Sequence, residues 1–384
     1  MQASQPPPPP HLKYLRDDDM PQEFKDLLSS LPSEEDWVTT SLRLYQGFWF
    51  PSWLLNGIFN CQNHFQAHPS DILLVTNPKS GTTWLKAILF ALLNRAKYSD
   101  SDSQRRHPLL TRNSHDLVPC LEFKLYLEQE NPDLAAIASP RLLATHMPYS
   151  LLPQSARDSN CKLVYLCRNP KDTFLSMWHF TNKLRPEEGL FSKPASITVG
   201  LEITLKSVEQ AEDLLLAFVD LLLGELNVTS GVVLASVLAY GPSLGVGLDL
   251  DVIRDLLEYV HQGVALDPAV AVCEFVLVRS ANPVFRMKVD PHVHVRRLAD
   301  FVGCPFGEEE MRDGTVEGIL RMCSFGNLSA REVNKSGKLS TGQESKWFFE
   351  RGEVGDWVNY MSAEMGRRID CVMEEKLHGS GLKL

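Results

Sequence analysis

The sequence predicts an α/β fold: a central, mostly parallel sheet flanked by helices. Three observations carry this expectation. Residues 71–95, DILLVTNPKSGTTWLKAILFALLNR, read as a buried strand, a tight polar turn and an amphipathic helix in immediate succession. Residues 162–185 repeat that order, with KLVYLC as strand, RNPKD as turn and TFLSMWHFTNKLR opening a helix behind Asp172 as N-cap. A shorter apolar run at 142–145 leads into a proline-containing turn at His146. Strand-turn-helix units in series imply parallel pairing, because the helix supplies the crossover between strands.

Taken in order, the first 35 residues carry a five-proline tract, Pro6 to Pro10, and mixed charge. That composition favours extended polyproline geometry and buries too little surface to fold alone, so 1–35 reads as a disordered tail and 36–384 as one domain. Tyr45, Phe48, Trp49, Phe50, Trp53 and Phe59 then follow in quick succession, either as core or as the wall of a pocket for a flat apolar molecule. Ile72 to Val75 suit a strand buried on both faces, Asn77 and Pro78 end it, and Leu85, Ile88, Leu89, Leu92 and Leu93 recur at helical spacing. Residues 293–302 and 316–323 have helical periodicity. Residues 325–357, rich in Gly, Ser, Asn, Lys and Glu, read as a long ordered loop of the kind that covers a ligand. The interval 188–282 is atypical, with leucine-rich helical stretches at 208–226 and 252–260, a glycine-rich apolar piece at 231–247 and a strand at 273–278.

Composition narrows the function. The 384 residues are 44% hydrophobic and 22% charged, which suits a globular protein with a sizeable core. A net charge of −10 and a pI near 5.6 argue against a general nucleic-acid binder, so cationic groups that matter are concentrated in a site. The eight cysteines are scattered, without CxxC pairs or histidines at metal spacing, and read as reduced core thiols with no metal site. No charged leader precedes an apolar segment and no apolar run reaches the ~18 residues needed to span a bilayer, so the expected address is cytoplasmic, with no membrane partner.

The turn at 79–84 is where chemistry is expected. A helix N-terminus presents unpaired N–H groups and the positive end of its dipole, a setting for anions. Gly81 permits close backbone approach, Ser80, Thr82 and Thr83 add hydroxyls, and Lys79 supplies a mobile cation. A Walker A loop places its Lys after the last Gly, whereas Lys79 precedes Gly81, so a phosphate-bearing ligand other than ATP is favoured.

PKSGTTW, residues 78–84, resembles the 5′-phosphosulfate loop of the cytosolic sulfotransferases, enzymes that use 3′-phosphoadenylyl sulfate (PAPS). The likeness extends through LYQGFWFPSWLL at 44–55, which is similar to the plant branch, and through 141–180 and 291–382. It implies a P-loop-like sulfotransferase fold, PAPS as co-substrate, and a small hydroxylated acceptor such as a flavonoid, steroid or hydroxyjasmonate-like compound.

On that resemblance Lys79 stabilises the leaving phosphate, residues Lys79, Ser80, Gly81, Thr82, Thr83 and Trp84 cradle the 5′ side, and the Trp84 indole offers adenine a stacking face. The acceptor's proton needs a group titrating near neutrality. His146, in a THxP turn at the C-terminal end of a strand, matches the family's base, with Ala144 where members often have Lys. Arg168 and Ser176 match the 3′-phosphate motif, Arg168 having Asp172 as an alternative partner. Ser324 and Phe325 resemble the adenine-side contact, and FERGEVGDW at 349–357 resembles the closing FRKGxxGDW motif. That motif implies Arg351 and Gly352 as phosphate contacts and Glu350, in place of a cation, turned to solvent. The family's LYGPFW-like motif has only a fragment here, at Tyr240. His179 reads as a core residue, and His292 and His294 as strand or turn residues. A catalytically impaired PAPS-binding relative and, less favoured, a small-molecule kinase are the alternatives. The sequence leaves acceptor and oligomeric state open.

Overall fold

The computed structural model describes residues 22–34, 42–99, 101–184, 197, 201, 275–278, 285–286 and 290–377. The first helix, α1 (Gln22–Ser30), precedes a small antiparallel sheet of β1 (Ser33–Glu34), β2 (Leu42–Tyr45) and β3 (Phe48–Pro51). Then come α2 (Ser52–His64), β4 (Ile72–Thr76), α3 (Thr82–Asn94), β5 (Leu142–Thr145), β6 (Lys162–Cys167), α4 (Pro170–Leu184), β7 (Phe275–Val278) and β8 (Phe285–Arg286). Helices α5 (Pro291–Val302), α6 (Thr315–Met322) and α7 (Ala363–Leu377) complete the chain among the longer elements.

The main sheet runs β5-β4-β6-β7-β8, with β4 parallel to both β5 and β6 and the last two strands antiparallel. Every residue of β4 is buried, as a central parallel strand covered on both faces requires. Alternation along the strands divides the interior in two. Ile72, Leu74, Leu142, Ala144, Val164 and Leu166 join Leu85, Ile88, Leu89 and Leu92 of α3 and Val295 and Leu298 of α5. Leu73, Val75, Leu143, Leu163 and Tyr165 pack with Phe24 and Leu28 of α1, Phe48 and Phe50 of β3, and Leu54, Leu55 and Ile58 of α2. Helices therefore cover both faces of one sheet, and the C-terminal ends of β4, β5 and β6 open on the same edge.

The strand-turn-helix units at 71–95 and 162–185 form where the patterns place them, and the sheet is mostly parallel at its centre. Several details differ. Helix α1 lies inside the stretch assigned to the tail, because Phe24 and Leu28 give it an apolar stripe to bury, while residues 1–21 lie outside the described residues. The stretch 325–357 contains helical turns at Phe325–Ala330, Glu332–Lys335, Ser345–Phe348 and Asp356–Asn359, short pieces tied down by tertiary contacts that weak local periodicity hides. His292 and His294 lie in helix α5, where Val295, Leu298, Ala299 and Val302 form the buried stripe. Asp172 is not the N-cap of α4. The Asn169 carboxamide oxygen accepts from the Lys171 N–H at 2.8 Å, and Asp172 turns to the 355–357 backbone instead. The stretches 208–226, 231–247 and 252–260, with Tyr240, lie outside the described residues.

Cys61, Cys120, Cys161 and Cys323 are buried free thiols, whereas Cys371 is exposed. Among the described residues no helix is long and apolar enough to cross a membrane.

The start of β4 is locked by an ion pair. Asp71, fully buried, accepts from Arg141 Nε at 2.7 Å and Nη2 at 2.5 Å, and Arg141 immediately precedes β5. Removing one partner leaves the other desolvated. Asp71→Ala is therefore expected to lower stability by about 3–5 kcal/mol, read from the urea midpoint. An unchanged midpoint would show that the pair carries no structural weight.

Candidate active site

The site lies where β4 and β5 end. The Lys79 backbone has φ 66°, unusual for a residue with a side chain, and Gly81 has φ 112°, which only glycine adopts readily. These two residues turn the chain sharply from β4 into α3. Ser80 is buried, its hydroxyl donating to the Asn77 carbonyl at 2.6 Å, which fixes the loop from inside. The N–H groups of Gly81, Thr82 and Thr83 have no backbone acceptor among the described residues, leaving three donors at the positive end of a 13-residue helix. The Thr82 hydroxyl lies 2.8 Å from that of Thr76, and Thr83 Oγ1 lies 2.8 Å from His115 Nε2. Trp84 is half-buried against the core on that side of the sheet.

Lys79 Nζ donates to the Trp347 carbonyl at 3.4 Å and stands 4.4 Å from the Phe180 ring centroid and 5.7 Å from that of Phe348. Burial among these rings lowers its pKa to about 8, with Lys183 and Arg168 adding to the fall and Glu350 opposing it. The cation is thus weakly hydrated, positioned, and close to its titration range at neutral pH.

His146 follows β5 directly. Its Nδ1 lies 2.7 Å from the Thr76 carbonyl oxygen, which can only accept, so the proton sits on Nδ1 and Nε2 is left with its lone pair. The backbone is clamped as well. Glu122, itself buried, accepts from His146 N at 2.6 Å and from the Thr145 hydroxyl at 2.8 Å. Phe123 stands edge-on to the imidazole at 5.4 Å, and Trp53 stands edge-on to Phe123 at 5.6 Å. Burial lowers the pKa of His146, against the opposing charge of Glu122 and the Thr76 carbonyl. Glu122 belongs to a π-helical turn, Leu121–Leu125, against which α2 packs so closely that a Cβ on Gly57 would sit 2.1 Å from the Glu122 carbonyl oxygen.

On the β6 side, Arg168 Nη2 donates to the Glu353 carbonyl at 2.7 Å, and its buried Nε has no hydrogen-bond partner among the described residues. The alternative partner, Asp172, is 3.9 Å away and accepts mainly from the N–H groups of Gly355 and Trp357 at 2.8 and 3.2 Å. Asp172 thereby ties the 350–357 segment onto α4, where Ser176 is half-buried. Phe325 and Gly352 are brought together, since a Cβ on Gly352 would sit 2.8 Å from the Phe325 ring. The Ser324 hydroxyl caps the helical turn after it, accepting from Asn327 N at 3.3 Å. Arg351 is exposed and pairs with Asp356 at 3.1 Å. Glu350 does not turn to solvent: it pairs with Lys183, which neutralises the carboxylate that the motif comparison made anomalous. His179 packs between Trp178 and Tyr360, each 4.8 Å away.

The sulfotransferase domain family matches residues 69–232 and 286–381, more than half of the chain and including both crossover turns. The chain belongs to the sulfotransferase family. This sulfotransferase is 42% identical over 370 residues to cytosolic sulfotransferase 12 of Arabidopsis thaliana, covering 96% of each chain. To cytosolic sulfotransferase 5 of the same plant it is 38% identical over 370 residues, covering 96% of this chain and 98% of the relative. A solved Arabidopsis thaliana sulphotransferase structure shares 33% identity at a TM-score of 0.59, covering 97% of this chain and 98% of that one. Mouse sulfotransferase SULT7A1, solved with PAP bound, shares the fold at 20% identity and a TM-score of 0.53. The enzyme is of the PAPS-dependent sulfotransferase class, which transfers a sulfuryl group to an acceptor.

Sequence reasoning did not find His115, Lys86, Glu122 or the Trp347-Phe348 contact. Lys86 carried one signal, a cation inside the apolar face of α3 one turn after Thr83.

Proposed function

We propose that this sulfotransferase moves the sulfuryl group of PAPS to a hydroxyl of a small apolar acceptor in the cytosol, with His146 as general base and Lys79 as the cation at the leaving group. The observation that carries this reading is the His146 tautomer: with Nδ1–H held by the Thr76 carbonyl, Nε2 is the free acceptor. The Thr76 that holds it ends the strand feeding the Lys79 loop, so base and cation share one rigid support. The donor set suits a doubly anionic nucleotide. Three unpaired N–H groups and Lys79 would hold the 5′ side, and the orphaned, buried Nε of Arg168 is a donor waiting for an anion on the 3′ side.

Ser176, Arg351 and Gly352 would complete the 3′ side, while Ser324, Phe325 and Trp84 would bound the adenine. Ser80 supports the loop from beneath. PAPS supplies an activated sulfuryl group when bound. His146 Nε2 takes the acceptor's hydroxyl proton as its oxygen bonds to sulfur, and Lys79 Nζ offsets the negative charge that grows on the departing phosphate oxygen. Phe123 and Trp53 beside the imidazole suit a flat, apolar acceptor such as a phenol. Turnover of PAPS with a panel of flavonoids, steroids and hydroxylated fatty-acid derivatives tests the reading. Transfer to one of them supports it, and binding of adenosine 3′,5′-bisphosphate without transfer to any of them would favour a catalytically impaired relative.

A further inference from the structure

Lys86 is 1% exposed, and among the described residues no carboxylate lies within ion-pair distance of its ammonium. A buried cation so placed weakens a fold in which methionine would pack as well. Its Nζ donates to the Val118 carbonyl at 2.8 Å and lies 3.3 Å from His115 Nδ1. An ammonium has only donors, so Nδ1 accepts, and the proton of the neutral ring sits on Nε2. Nε2 lies 2.8 Å from Thr83 Oγ1 and donates to it. A hydroxyl that accepts this bond must send its own proton elsewhere.

The ring is fixed from several sides. Asn113 Oδ1 accepts from His115 N at 2.8 Å, and Asn113 is itself bonded to Asn334 at 2.8 Å. Ser114 donates to the Thr83 carbonyl at 2.9 Å, and the imidazole packs on Phe348 at 4.5 Å. Burial and the Lys86 charge hold His115 well below the ordinary imidazole range, so it stays neutral. Thr83 stands in the loop whose N–H groups are unpaired, and the neighbouring Thr82 hydroxyl is engaged with Thr76.

We propose that His115 is a positioning residue for sulfuryl transfer: pinned by Lys86 on Nδ1, it donates from Nε2 to Thr83 and so turns the Thr83 hydroxyl proton outward, toward the 5′ phosphate of the donor. The inference rests on the proposed function, which seats that phosphate at the loop. Without Lys86 the ring can carry its proton on Nδ1 instead, Nε2 then accepts and the Thr83 proton turns inward; without the ring the hydroxyl loses the bond that orients it.

Binding of adenosine 3′,5′-bisphosphate, measured by calorimetry, tests it in wild type, His115→Met, His115→Gln, Thr83→Val and the His115→Met/Thr83→Val double variant. Thr83→Val is expected to weaken binding by about 10- to 100-fold, the loss of one hydrogen bond to a charged group, and His115→Met by a smaller factor, because it frees that hydroxyl to turn without deleting it. His115→Gln, with an amide N–H for Thr83 and an oxygen for Lys86, retains most of the affinity. The double variant binds no more weakly than Thr83→Val alone, because the histidine acts only through that hydroxyl. Additive losses, or a glutamine variant as weak as the methionine one, overturn the relay. A wild-type protein that does not bind overturns the functional reading and the relay with it. Where His115→Met shows no cooperative thermal transition, Lys86→Met in the same cycle with Thr83→Val makes the same two predictions.

Discussion

His146→Ala is expected to lower kcat by about 100- to 10,000-fold, the usual contribution of a positioned general base, while affinity for adenosine 3′,5′-bisphosphate stays at the wild-type value. The split follows from position. His146 touches Thr76, Glu122 through its backbone, and Phe123, and it is none of the groups proposed to hold phosphate, so its loss removes proton acceptance without removing a donor for phosphate. Because burial lowers the imidazole pKa, the acid limb of kcat/KM should fall below pH 6.5, the ordinary imidazole value, and disappear in the variant. The same shift bears on stability. The unfolded chain takes up a proton on this histidine at higher pH than the folded chain does, so folding stability is unaffected above the ordinary imidazole range and declines as pH falls below it. His115, also depressed, adds to the decline. A His146→Ala enzyme that keeps a tenth or more of wild-type kcat would remove the imidazole from the chemistry.

Lys79→Met should lower kcat/KM by about 100- to 1,000-fold, the loss typical of one electrostatic contact at a site of developing charge. Here the pH profile carries the diagnosis. With the ammonium lowered to about 8 by its aromatic surroundings, kcat/KM of the wild type should decline as pH rises through about 8, where the cation loses its proton. Lys79→Arg retains charge over that range and should flatten the alkaline limb, even if its bulk lowers the plateau. Glu350→Gln should move the limb to lower pH, since the Glu350 carboxylate raises the Lys79 pKa. An alkaline limb that survives in Lys79→Arg belongs to another group, and the lysine's part in the reaction would then have to be given up.

Much of this arrangement is legible in the chain. A run of apolar residues closed by Asn77 and Pro78, then small and hydroxylated residues, then leucines at helical spacing, can form little other than a buried strand turning into a helix. His146 is legible at the end of a strand of four apolar-to-small residues that runs into a proline turn, and its proposed role comes from the resemblance of that THxP turn to the family's. His115 is not. Its segment, Ser114–Leu117, is a single helical turn, and nothing within it shows that a lysine from α3 will meet the ring. Asp172 was misread for a related reason: its spacing suits a local cap, but Asn169 takes that bond and frees Asp172 to bind the backbone of Gly355 and Trp357, over 180 residues away. Glu350 looks misplaced beside its motif until Lys183, on α4, is seen against it.

Local pattern by itself determined the parallel core and the sharp turn at 79–84 that leads into a helix, because each depends on neighbours within one strand-turn-helix unit. The protonation state of His146, the depressed ammonium of Lys79 and the Lys86-His115-Thr83 chain were decided only by tertiary structure. Each is set by a carbonyl, a ring or a charge that distant segments bring within a few ångströms, where burial and direction fix which atom holds the proton.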